Sequence, residues 1–64
     1  MPEHTVIIRP ELPHSQALAL AQFLKRVGWS EMRGCAVDDS EAYLIRAALG
    51  ALRTELAEIG FNPR

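Results

Sequence analysis

The sequence predicts a small α+β fold dominated by helix, with one N-terminal strand followed by two helices. Three observations predict it. Val6, Ile7 and Ile8 form a run of β-branched residues between Pro2 and Pro10, a composition that suits a pleated surface. Two later segments carry apolar residues at the three-and-four spacing of an amphipathic helix. Each of those segments has its own start and stop signals. The expected order is strand, helix, loop, helix, and a chain of 64 residues holds it as one domain, residues 1–64.

The strand is expected over Thr5 to Arg9. Side chains alternate along it, so Val6 and Ile8 share one face and Thr5, Ile7 and Arg9 the other. One strand cannot satisfy its own backbone groups. Its partner is expected from the middle loop or from another chain. Gly34-Cys35-Ala36-Val37 is the candidate second strand within the chain.

The first helix is expected over Pro13 to Val27. Proline suits the first helical position, where a missing N–H matters little. Gly28 suits the position just past the end. Lys25 and Arg26 fall in the last turn, where the helix dipole favours cations. Ala17, Leu20, Ala21, Leu24 and Val27 line one face, with Phe23 at its border and Leu18 near the polar side.

Trp29 to Val37 reads as an ordered loop without clear periodicity. The second helix, Asp38 to Ile59, is the clearest element. Asp38-Asp39-Ser40-Glu41 matches an aspartate-led capping box, in which Asp38 accepts from backbone N–H groups and Glu41 reaches back. Ile45, Ala48, Leu49, Leu52, Leu56 and Ile59 then follow one face. Gly60 ends the helix, Pro63 prevents its resumption, and Phe61 is placed to pack back on the last turn.

Length and composition exclude several classes. A domain this short buries only about 60% of the surface its unfolded chain exposes. A single cysteine, Cys35, rules out an intrachain disulfide, and no ligand cluster suggests a structural zinc. A second copy is therefore the expected source of stability, with a further protein partner left open. Seven basic residues against eight acidic ones, a net charge of −1, give no basic footprint for nucleic acid. The apolar stretch from Ala17 to Leu24 is too short to span a bilayer, so no membrane association is expected. The unpaired cysteine and the lack of a signal peptide point to the cytoplasm.

Two groups of residues are candidates for binding. On the second helix, Tyr43, Ala47, Gly50, Thr54 and Ala57 are spaced by four, three, four and three. They lie roughly opposite the isoleucine and leucine face. A glycine inside a helix costs about 1 kcal/mol relative to alanine. A close-packed second backbone would explain it, which makes this stripe the candidate dimer interface. A solvated face that happens to carry small residues is the alternative.

In the loop, Trp29, Met32 and Arg33 form a candidate binding surface, because tryptophan and arginine are enriched at binding hot spots. The competing and favoured reading is that Trp29 and Cys35 close the end of a small core. No catalytic residue, cofactor or metal is expected. Cys35 as a nucleophile needs an activating base, and His4 and His14 stand at no diagnostic spacing from it. His4, His14, Cys35, Asp38 and Asp39 match no metal-ligand pattern.

Two resemblances add to this reading. Thr5 to Arg9 as a ribbon, followed by a second helix with Leu44-Ile45-Arg46-Ala47-Ala48-Leu49, resembles the ribbon-helix-helix repressors. That resemblance implies an intertwined dimer with antiparallel strands, and a DNA-binding regulator in which Thr5, Ile7 and Arg9 face the major groove. The acidic start of the second helix would repel phosphate, which ranks this reading second. More specifically, Ala21-Gln22-Phe23-Leu24-Lys25-Arg26-Val27-Gly28-Trp29-Ser30 and Arg33-Gly34-Cys35-Ala36-Val37-Asp38-Asp39, within Ala17 to Leu44, resemble a family of short uncharacterised proteobacterial proteins. Its members often occur near phage or plasmid genes. The leading expectation is a non-enzymatic homodimer, a protein-interaction or regulatory factor of a mobile element.

Overall fold

The computed structural model describes residues 3–61. Pro2 and Pro63 lie outside them. Three helices follow in order: α1 (His14–Arg26), α2 (Trp29–Gly34) and α3 (Asp39–Glu58). Among the described residues there is no strand. The expected α+β class is thereby corrected to all-helical.

The reason lies in pairing. Thr5 to Arg9 belongs to the non-helical lead that runs up to Pro13, and it forms no ladder. Val6, Ile7 and Ile8 stay 86%, 77% and 68% exposed. The expected second strand, Gly34 to Val37, is used elsewhere. Gly34 completes α2, and the next four residues, Cys35 to Asp38, turn the chain into α3. With that segment consumed, no partner within the chain remains for the first. β-branched residues raise strand propensity only where there is a sheet to join.

The loop expected over Trp29 to Val37 is a short helix instead. Gly28 holds an extended conformation, and its carbonyl accepts from the Met32 N–H at 3.2 Å. At the other end the Cys35 N–H is shared between the carbonyls of Glu31 and Met32, both at 3.3 Å. Such shared bonds are common where helices end.

The start of α3 forms as its sequence signal predicts. Asp38 accepts from the Glu41 N–H at 2.9 Å, and the Glu41 carboxylate accepts from the Val37 N–H at 3.2 Å. The reciprocal bond of the capping box therefore reaches one residue further back than the cap itself. The end of α3 is equally specific. Gly60 adopts φ 102°. The Phe61 N–H donates to Leu56 at 2.8 Å and the Gly60 N–H to Ala57 at 3.1 Å, the paired bonds of a Schellman motif. Phe61 then folds back onto the core, its ring 5.0 Å from that of His14.

Both shorter helices pack on α3. Ala17, Ala21 and Leu24 of α1 meet Leu56 of α3, and Leu20, Leu49, Leu52 and Phe61 pack around them. On α1 the expected face is the one that turns inward, with Leu20 and Val27 half-buried. Phe23 is exposed, as is Leu18 on the polar side. On α3 the inward line is Ala42, Leu49 and Leu56, spaced by sevens. Ala48 and Ile59, expected on that face, are exposed. Two of the four buried residues of this cluster are alanines, so the α1–α3 contact buries little apolar area.

Candidate functional site

α3 carries the expected small-residue stripe on its open side. Tyr43, Ala47, Gly50 and Thr54 are exposed, and Ala57 is half-buried. A Cβ added to Gly50 would meet nothing within 4 Å. The Thr54 hydroxyl donates to the Gly50 carbonyl at 3.1 Å, so it is satisfied within the helix. Tyr43 is drawn out of the stripe. Its ring lies 4.8 Å from that of Trp29 at 43°, and the two aromatics join α2 to α3.

Trp29, Met32 and Arg33 thus sit on a helix rather than a loop. Trp29 and Met32 line a hollow together with Tyr43 and Arg46. Arg33 turns toward the α2–α3 turn, where its Nε donates to Asp39 at 2.6 Å. Trp29 and Cys35 do not close the α1–α3 core, since Trp29 packs on Tyr43 and Cys35 is exposed.

A second groove of about 250 Å³ adjoins that hollow. Leu24 and Val27 of α1, Met32 of α2, and Arg46, Leu49, Gly50 and Arg53 of α3 line it. Met32 and Arg46 belong to both hollows. This groove is not among the sites that the sequence predicts. Its signal was available as Arg46 and Arg53, seven residues apart, on either side of Leu49-Gly50. A separate apolar cleft of about 280 Å³ lies between the start of α1 and the end of α3, with Leu20, Leu52, Ile59 and Phe61 in its walls.

Thr5, Ile7 and Arg9 lie in the unpaired N-terminal lead, not on a sheet. The ribbon that was to present them to a DNA groove is absent from the described residues. The N-terminal strand on which the DNA-binding alternative rested is not found there. Among the described residues no group of three or more His, Cys, Asp or Glu side chains could hold a metal ion. None of their helices is long and apolar enough to cross a membrane.

A family model described as a family of unknown function, DUF7706, matches residues 1–64. The chain belongs to the DUF7706 family. No curated protein and no solved structure matches it. In this DUF7706 member, geometry and surface chemistry carry the functional argument.

Proposed function

We propose that the chain is a non-enzymatic interaction protein that works as a homodimer. One observation carries this reading. The chain exposes 5571 Å² of surface, whereas a compact monomer of 7.1 kDa exposes about 4,100 Å². The excess of about 1,500 Å² includes the unpaired, exposed lead up to Pro13, surface that is available to a second copy. Apolar side chains stand in it: Val6, Ile7 and Ile8 on the lead and Leu44 beside the α3 stripe are all more than 60% exposed.

The stripe of Ala47, Gly50, Thr54 and Ala57, with the Trp29-packed Tyr43 at its edge, is the proposed seat of the second copy. Its open surface supports this, because a helix can approach closely where side chains are short. The Gly50→Leu variant tests it. A Cβ at this position meets nothing within 4 Å in the single chain, so a loss of dimer without loss of helix supports the interface. An unchanged dimer would place the contact elsewhere.

The resemblance carried by Ala17 to Leu44 supports a regulatory setting on a mobile element. Cross-linking in the native host tests that setting. Capture of phage, replication or partition proteins is expected, and capture of metabolic enzymes alone would contradict it.

A further inference from the structure

We infer that the groove between Arg46 and Arg53 takes an acidic amphipathic helix from a partner protein. The inference rests on the reading of the chain as an interaction protein, but not on its being a dimer.

The floor is apolar, built from Leu24, Val27, Met32 and Leu49. The rim is cationic. Arg46 and Arg53 both line the groove, and no carboxylate does. Among the described residues the ion pair that forms is Arg33 with Asp39, which leaves Arg46 and Arg53 without an acidic partner. Lys25 and Arg26, in the last turn of α1, add positive charge beside Val27. Guanidinium groups bind carboxylates with two parallel hydrogen bonds. Two such groups over an apolar floor ask for an anion at each end and hydrocarbon between.

Spacing selects the shape of that ligand. Arg46 and Arg53 are seven residues apart on α3, two helical turns or about 10.5 Å. A partner helix with carboxylates at i and i+7 and leucines at i+3 and i+4 meets both arginines and the floor. Gly50 carries no side chain to obstruct the groove between them. At the far end the Trp29–Tyr43 pair offers an aromatic wall. The same features disfavour nucleic acid. The start of the same helix carries Asp38, Asp39 and Glu41, whose charge opposes a polyanion along α3.

The test uses the full chain and a fluorescein-labelled amphipathic helical peptide with two glutamates seven residues apart and leucines between them. Anisotropy reads the affinity, circular dichroism checks the fold, and light scattering reads the mass. The expected result is binding that falls at least about tenfold in Arg46→Glu/Arg53→Glu, with fold and mass unchanged. A peptide with lysines in place of the glutamates should restore binding to that variant. Equal binding of both peptides by the native chain would overturn the proposal, as would tighter binding of a DNA or RNA oligonucleotide. If the charge-reversed variant loses peptide and becomes lighter together, the groove belongs to the dimer contact. The partner-helix proposal then falls while the dimer stands. Gly50 lines the groove and also belongs to the proposed dimer seat, so the mass is read before peptide is added: a free chain that is already a monomer and binds the peptide fells the dimer and leaves the groove standing.

Discussion

Arg33 donates from Nε to the carboxylate of Asp39 at 2.6 Å, so a side chain from the end of α2 grips the first turn of α3. Its Nη1 also donates to the Ala36 carbonyl at 3.2 Å, within the turn it spans. The pair is well exposed, at 42% and 76%, and exposed pairs contribute only about 0.2–1 kcal/mol. Arg33→Ala should therefore lower stability by about 0.5 kcal/mol. Thermal melting followed by circular dichroism checks this. The difference from the native chain should shrink in about 1 M salt, which screens the ion pair. A loss that ignores salt would assign the role to packing instead.

Asp38 matters more, because it satisfies a backbone N–H that α3 itself cannot. Asp38→Ala should destabilise by about 1 kcal/mol, a fall in Tm of about 4–8 °C in a domain of this size. Asp38→Asn keeps an acceptor oxygen and should recover most of it. Equal melting of the Ala and native chains would show that the cap is dispensable.

The two glycines of the α3 region should respond in opposite directions. Gly60 sits at φ 102°, where a Cβ is strained, and Gly60→Ala should destabilise by about 1–2 kcal/mol. Gly50 is helical with open space around it. Gly50→Ala should stabilise the single chain by up to about 1 kcal/mol, read at a dilution where the native chain is monomeric. Urea titrations of both variants give the two signs directly.

The core is thin enough that one truncation should be decisive. Leu24 is 5% exposed and joins α1 to α3. Leu24→Ala should cost about 2–5 kcal/mol, a large part of what a small domain has in total. The helical circular dichroism signal should be largely lost at 37 °C. Retention of a native melting curve would mean the α1–α3 contact is not the core.

Local signals were legible in the sequence, and long-range ones were not. The Asp38 cap, the Gly60 stop with Phe61 folding back, and the inward face of α1 all depend on neighbours within one or two turns. The Val6-Ile7-Ile8 run failed as a strand because its state depends on a distant partner. That partner segment was drawn into the end of α2 and the turn to α3. α2 itself was missed because six residues, Trp29–Gly34, are too few to show a period. On α3 the stripe was located, but its neighbour was not. The cationic groove needs Leu24, Val27 and Met32 from two other helices, and only the fold brings them to Arg46 and Arg53.

The central claim is that this chain is completed by a second copy of itself. Light scattering of the purified native chain on a size-exclusion column, at micromolar concentration, tests it most directly. The account predicts one peak at twice the chain mass of 7.1 kDa. A well-folded species at the mass of a single chain would contradict it.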